Sequence, residues 1–252
     1  MNSPNVNPQK AHYEKVHDAY EKHYYDNSSL QYRREFIYTP LFKGFDLSGA
    51  RLADFACGSG HNSIELRTLF PGISTTGYDI SQAACEAYVQ NTGGKAHQVD
   101  LTNPFTADAE YDAVLIVGGL HHCISNLDAV FLNIARVLKP NGYLFMVEPN
   151  EEFFLNSVRN IWYKKDKWFE AESESALRHD EILELAKAYF EPHSLSFFGG
   201  PAFYLILNSL ITRVPLKAKP FLAPILFPLE SLFNQLPGRS AFAAFRAVWR
   251  KR

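Results

Sequence analysis

Leu52-Ala53-Asp54-Phe55-Ala56-Cys57-Gly58-Ser59-Gly60 is the stretch that decides how this chain folds. An apolar run ends in an acid, breaks into a glycine loop, and a helical pattern begins at once, from His61 to Phe70. Glycines without a Cβ let the backbone come close to a ligand. A second acid, Asp79 in Thr76-Gly77-Tyr78-Asp79-Ile80, follows 19 residues after Gly60. Strand, glycine loop, helix and an acid on the next strand together make a nucleoside site, in which the carboxylate holds the ribose hydroxyls.

Working outward, strands are expected at 51–56, 74–79, 96–99, 112–117 and 142–148, with helices at 61–70, 81–91 and 126–138 between them. Short apolar strands such as Ala113-Val114-Leu115-Ile116-Val117 do not alternate with polar residues, as expected when both faces are covered. Alternating strands and helices predict a doubly wound, mostly parallel α/β sheet with right-handed crossovers. Lys139-Pro140-Asn141-Gly142 reads as a sharp stop after the last of these helices. A further helix at 174–190 and a strand at 193–198 follow, with a final strand near 241–249. Upstream, residues 8–45 read as two tyrosine-rich helices broken at Asp26-Asn27-Ser28-Ser29. Residues 199–238 carry six prolines among Leu, Phe and Ile and read as an insertion of short helices. Their longest apolar run, Ala202 to Thr212, falls short of the ~20 residues needed to span a bilayer.

The 252 residues are 46% hydrophobic and 21% charged, enough for one domain with a substantial core. Cys57, Cys85 and Cys123 are too scattered for a disulfide framework or a zinc site, so no metal is expected and a reducing compartment fits. The first ten residues have no signal-peptide core, which points to a cytoplasmic location. Charge is uneven. Residues 1–212 hold 17 Lys/Arg against 26 Asp/Glu, whereas residues 213–252 hold 8 basic residues and only Glu230. The acidic body argues against a phosphate-backbone ligand.

Five motifs in order over about residues 51–150 carry a family resemblance. They are Asp54-Phe-Ala-Cys-Gly58-Ser-Gly60; Tyr78-Asp79-Ile80; Val99-Asp100-Leu101; Tyr111-Asp112 through Val117 with Leu120-His121-His122; and Arg136-Val-Leu-Lys139-Pro-Asn-Gly142. The chain resembles class I S-adenosylmethionine-dependent methyltransferases of the small-molecule type that includes the ubiquinone and menaquinone biosynthesis enzymes. The resemblance implies a seven-stranded Rossmann-like sheet in one domain over 1–252. It divides into an N-terminal helical lid at 1–48, a cofactor-binding core at 49–150, and an acceptor-side half at 151–252 that holds the insertion. It also implies S-adenosylmethionine as cofactor. Gly58 and Gly60 would pass under the methionine portion, Asp79 would hold the ribose, and Ile80 would pack on the adenine. Asp100 with the Leu101 backbone would read the adenine edge, and the Val117 carbonyl, or Asp54 through water, would take the methionine ammonium. His122 would touch the cofactor. Ala56 stands where the family usually has its first glycine. Taken on its own, Asp100 reads equally as a turn residue before Asn103-Pro104. A dinucleotide-binding dehydrogenase also uses such glycines and acid, but its fingerprint wants a third glycine where Ser63 stands.

Methyl transfer from a sulfonium is a displacement in which the protein mainly positions and desolvates, and a base is needed only for a protonated acceptor. His121 and His122, on the loop after the fourth strand, are the first candidates for that base. Glu148, at the end of the fifth strand, is the candidate to orient an acceptor or the loop. Tyr13, Tyr20, Tyr24 and Arg33 of the lid are candidates for the methionine carboxylate or the acceptor, although a tyrosine stripe also packs as core. The apolar insertion suggests a lipid-like small-molecule acceptor bearing a hydroxyl or amine. Sugar methylation is the alternative, and a non-catalytic cofactor-binding partner protein is a third reading. Nucleic acid is disfavoured, since Gly118-Gly119-Leu120-His121 replaces the Asp/Asn-Pro-Pro-aromatic motif expected of base amino methylation. The apolar, basic stretch 199–252 further suggests peripheral contact with a membrane, or a homodimer.

Overall fold

The computed structural model describes residues 23–107, 110–156 and 175–252. Seven strands form a single sheet: β1 (Arg51–Phe55), β2 (Ser74–Asp79), β3 (Lys95–Gln98), β4 (Tyr111–Val117), β5 (Leu138–Pro149), β6 (Phe190–Phe198) and β7 (Ala244–Lys251). Their order is β3-β2-β1-β4-β5-β7-β6. Every neighbouring pair is parallel except those made by β7, which runs antiparallel to β5 and β6. The order reverses between β1 and β4, so the loops leaving their carboxyl ends diverge and open a crevice there.

Helices cover both faces. They are α1 (Asn27–Arg33), α2 (His61–Leu69), α3 (Gln82–Thr92), α4 (Leu127–Val137), α5 (His179–Ala186), α6 (Ser209–Thr212) and α7 (Lys219–Phe233). Along β4, Ala113 and Leu115 join the core under α1 and α7, while Val114 and Ile116 join the core under α4. Both sides of the strand meet oil, which is why its sequence shows no polar alternation. Local signals set the helix ends. The Ser81 hydroxyl accepts from Ala84 N–H at the start of α3, Gly93 closes it at φ +64°, and Asn126 caps α4.

One break falls where it was expected, and three expectations differ from the structure. The expected break is present at Asp26: His23 and Tyr24 are helical, Tyr25 and Asp26 bend, and α1 starts at Asn27 with the Asp26 carboxylate accepting the Ser28 and Ser29 N–H groups as its N-cap. From α1 the chain continues through a π-turn, Arg34–Tyr38, into Thr39–Leu41. Lys139–Gly142 does end α4, but it lies inside β5 as an irregularity. Leu138 already pairs with Tyr111, and Asn141 takes φ +63° before pairing resumes at Ala113 and Tyr143. The helix after residue 174 is shorter than expected among the described residues, and β6 starts at Phe190. The insertion does begin with short helical pieces, Phe203–Leu207, Ser209–Thr212 and Leu216–Ala218, but it then builds one continuous 15-residue helix, α7, with Pro224 and Pro228 inside it. Pro220 sits in the first turn, where a missing N–H is harmless. Pro224 and Pro228 follow at intervals of four, so the carbonyls they leave unbonded, those of Pro220 and Pro224, line one outward side where water reaches them. The first of the two expected N-terminal helices, with Tyr13 and Tyr20, lies outside the described residues.

The insertion is core on its inner side. Ala223, Leu226 and Phe227 of α7 are buried with Tyr32, Phe36 and Ile37. Tyr32 meets Phe36, Phe203 and Phe227 at ring distances of 4.9, 6.4 and 6.1 Å. Polar groups pin the same seam. Glu230, fully buried, accepts from Tyr32 Oη at 2.7 Å and from the Gly200 and Ala202 N–H groups at 2.9 Å. Lys219, also buried, pairs with Asp26 and donates to His23 O at 2.6 Å and Ser29 Oγ at 2.8 Å. Removing either charge would leave buried partners unsatisfied, at about 1–3 kcal/mol for each stranded group.

Candidate active site

At the crevice, two carboxylates stand at the ends of adjacent strands. Asp54, next to the last residue of β1, is fully buried, and its Oδ2 accepts from Ser63 Oγ at 2.8 Å. That hydroxyl also meets Tyr88 Oη at 2.8 Å, and Tyr88 Oη donates to Thr75 Oγ1 at 3.0 Å. Asp54 Oδ1 has no hydrogen bond among the described residues. Burial, with Asp79 adding like charge, pushes the Asp54 carboxyl up to about 7, although Ser63 and Asn62 oppose the rise. Asp79 ends β2; its Oδ2 accepts the Gly58 N–H at 3.0 Å and its Oδ1 the Ser81 N–H at 2.9 Å.

The loop between these acids takes left-handed backbone at Ala56 (φ +51°), Gly58 (φ +51°) and Gly60 (φ +88°). A Cβ on Gly60 would fall 2.6 Å from Thr92 Cγ2, so only glycine lets the loop lie against α3. Ala56 bears a methyl in this conformation, at a cost of roughly 1–2 kcal/mol. Its room comes from Gly119, where an added Cβ would lie 2.7 Å from Ala56 Cβ. Cys57 is buried behind the loop, and burial raises its thiol far above the usual range, which leaves it inert as a nucleophile.

Across the crevice, the loop after β4 is held by Glu148. This carboxylate is buried, and its Oε1 accepts the Gly119 and Leu120 N–H groups at 3.0 and 2.8 Å. Its Oε2 accepts the His121 N–H at 3.3 Å and faces His121 Nδ1 at 2.8 Å. Burial lifts the Glu148 carboxyl to about 7, against the pull of those backbone donors and of His122. Of the two roles considered for Glu148, these contacts are those of a loop holder. With Nδ1 turned to the carboxylate, Nε2 is the His121 nitrogen directed away from it. His122 packs on His121 with ring centroids 4.0 Å apart.

The other expected residues line the same edge. Ile80 is half-buried just beyond Asp79, and its carbonyl accepts from Gln98 Nε2 at 3.0 Å. Val117 ends β4, with Gly118 at φ +66° directly after it. Leu101 is buried, and its carbonyl accepts from Asn133 Nδ2 at 3.0 Å. Asp100 accepts from Thr102 N–H and Oγ1 at 2.9 and 2.6 Å and from Asn103 Nδ2 at 2.9 Å, which is the turn arrangement its sequence equally allowed.

The N-terminal segment closes over α2 through contacts the sequence did not announce. Tyr38 Oη donates to Asn62 Oδ1 at 2.7 Å, Arg34 forks onto Glu65 at 2.5 and 2.8 Å, and Tyr25 stacks on His61 at 3.8 Å. The one available signal was polar: Asn62, Ser63 and Glu65 crowd the first turns of a helix that leaves the glycine loop, and all three are buried. Arg33 is buried, with its guanidinium 4.6 Å above the Tyr25 ring. Tyr24 spends its hydroxyl on Asn208 Oδ1 at 3.0 Å, tying the lid to the insertion.

Comparison with known proteins bears on this geometry. Residues 53–144 match a family model described as a methyltransferase domain. Phthiotriol/phenolphthiotriol dimycocerosates methyltransferase 1 of Mycobacterium ulcerans is 33% identical over 107 residues, covering 41% of this chain and 39% of that protein. O-methyltransferase rstn1 of Aspergillus nomiae is 32% identical over 110 residues, covering 40% and 47%. The chain thus spans less than half the length of these curated relatives. A SAM-dependent methyltransferase structure from Thermotoga maritima superposes with TM-score 0.62 at 15% identity, covering 94% of this chain and 98% of that one. The N-methyltransferase NodS of Bradyrhizobium japonicum, solved with S-adenosyl-L-homocysteine, gives 0.56 at 10% identity, covering 94% and 98%.

Proposed function

We propose that this chain, which belongs to the class I S-adenosylmethionine-dependent methyltransferases, methylates a hydroxyl or amine on a small, apolar, lipid-like acceptor. The cofactor supplies a methyl group already activated on a sulfonium, so the protein's part is to bind, orient and exclude water. The residues present suit it. Asp79 stands at the end of β2 against the glycine loop, where a carboxylate can accept from ribose hydroxyls, and the buried Asp54 Oδ1 has no hydrogen bond among the described residues. Asp54 and the Val117 carbonyl would hold an ammonium, and Ile80 with the Leu101 backbone would border the base. Arg33 is the lid's candidate for a carboxylate, because a guanidinium presents a planar fork.

The single observation that carries the chemistry is the Glu148–His121 pair at the rim. A carboxylate on Nδ1 fixes the tautomer and ring angle and leaves Nε2 as the basic nitrogen, the arrangement that removes a proton from an alcohol or phenol. His121 would therefore act as base and Glu148 as its positioning residue, with His122 shaping the loop. An apolar acceptor would suit the shallow apolar depression, open to solvent, that Pro201, Leu229, Leu232, Phe233 and Leu236 form beside the end of β6. The named substrate of the Mycobacterium ulcerans relative, a dimycocerosate, belongs to the same lipid class. The test is methyl transfer from S-adenosylmethionine labelled in its methyl group to hydroxylated long-chain, polyketide and sugar acceptors, counted in the organic and aqueous phases. Label confined to sugars, or absent throughout while the cofactor binds, would overturn the reading.

A further inference from the structure

The outer face of α7 is built the wrong way round for a helix that meets only water. Phe221, Ile225, Leu229 and Leu232, with Leu236 just past the helix end, fall within about 80° of arc at 100° per residue. All five are exposed, Phe221 to 80% and both Ile225 and Leu232 to 64%. The two charged residues of the same helix, Lys219 and Glu230, are turned inward and fully buried. A surface helix normally does the reverse. Exposed apolar side chains in a continuous stripe mark a surface that meets something apolar.

We propose that this face docks on the surface of an anionic lipid bilayer. Two exposed cations, Arg213 and Lys217, stand before the N-terminal end of the stripe, and no carboxylate pairs with either among the described residues. The other cations of the basic C-terminal stretch have partners in the protein, Lys219 in Asp26 and Lys251 and Arg252 in the carbonyls of Leu138 and Phe190. Arg246 is buried over the Phe198 ring, Arg239 pairs with Asp180 and Glu152, and Arg250 pairs with Glu191. Arg213 and Lys217 are thus the cations left to reach headgroup phosphates while the stripe enters the acyl boundary. A second copy of the chain complements this face less well. Antiparallel pairing would bring the two cations to the far end of α7, where Asn234 to Arg239 includes no acid, and parallel pairing would set cation against cation. The carbonyls freed by Pro224 and Pro228 favour a helix lying at headgroup depth, where water still reaches them. Among the described residues no helix is long and apolar enough to cross a membrane. The shallow apolar depression beside the end of β6 includes Leu229, Leu232 and Leu236 of this stripe, so docking would set it against the lipid from which an acceptor would come; only this last step rests on the lipid-like acceptor proposed above.

The test is co-sedimentation of the full chain with phosphatidylcholine vesicles, with and without phosphatidylglycerol. It is run for the wild type, for a Phe221→Ser/Ile225→Ser/Leu232→Ser variant, and for an Arg213→Glu/Lys217→Glu variant. The expected result is binding to the anionic vesicles that falls as salt rises, is lost in the serine variant, and weakens about 25-fold or more in the charge-reversed variant. Adenosylhomocysteine affinity should be unchanged in both variants, which shows that they fold and separates a failure of docking from a failure of the methyltransferase assignment. No sedimentation at low salt, or equal sedimentation by all three proteins, would overturn the proposal. So would a dimer, seen by equilibrium ultracentrifugation, that the serine substitutions dissociate.

Discussion

Cofactor binding should release a proton, and Asp54 should be its source. Burial holds this carboxyl near 7 in the free protein, so at pH 6 about nine molecules in ten carry a proton there. An ammonium placed against the unsatisfied Oδ1 favours the ionised form, and an opposite charge at that range lowers a carboxyl by about 1–3 units. With a bound value near 5, linkage makes adenosylhomocysteine bind about tenfold more weakly at about pH 6 than at about pH 8, or about 1.3 kcal/mol. Proton release follows the same arithmetic: about 0.8 per site at pH 6, about 0.5 at pH 7 and about 0.1 at pH 8. Isothermal titration calorimetry in two buffers of different ionisation enthalpy reads affinity and proton count together. Asp54→Asn should bind more weakly and lose both dependences. A wild-type affinity that is flat across this range, or an Asp54→Asn protein that still releases the proton, would rule out Asp54 as its source.

Three further outcomes follow from the geometry. Glu148, raised by burial to about 7, contributes stability that is full below its unfolded value and is lost as pH rises through 7; Glu148→Gln should therefore flatten the urea-unfolding free energy by about 3 kcal/mol between about pH 4 and pH 8. Gly119→Ala sets a methyl 2.7 Å from both Ala56 Cβ and Ile116 Cγ1 and should cost about 1–3 kcal/mol; adding Ala56→Gly should restore about 1 kcal/mol of it in a double-mutant cycle followed by thermal melting. His121→Ala should lower kcat about 10²- to 10⁴-fold on a hydroxyl acceptor while adenosylhomocysteine affinity stays within about threefold; an equal loss in both would make the histidine a structural part of the loop.

Legibility in the sequence followed the range of the interactions. The strand–loop–helix around Gly58 and Gly60 was readable because left-handed backbone must fall on particular residue types, and the parallel strands were readable because burial on both faces erases alternation. Glu148 was placed on the rim, but which way its carboxylate faced depended on Gly119, Leu120 and His121, 27–29 residues away in sequence. The basic character of the C-terminal stretch was plain, yet its use was not. Arg246 and Lys219 are satisfied by Phe36 and Asp26, 210 and 193 residues away, which no local pattern encodes. Prolines at 220, 224 and 228 read as helix breakers. They are tolerated in α7 because a spacing of four puts every lost hydrogen bond on one wet side.

In the proposed function, Asp79 and the glycine loop hold an adenosyl cofactor at the rim of the sheet. The most direct test of this is the affinity of adenosylhomocysteine for the wild-type protein and for Asp79→Asn, with circular dichroism confirming that both fold. One binding site per chain is expected, with an affinity at least tenfold weaker in the variant, about 1.4 kcal/mol or more. No binding by the folded wild type, or equal affinities for the two proteins, would contradict it.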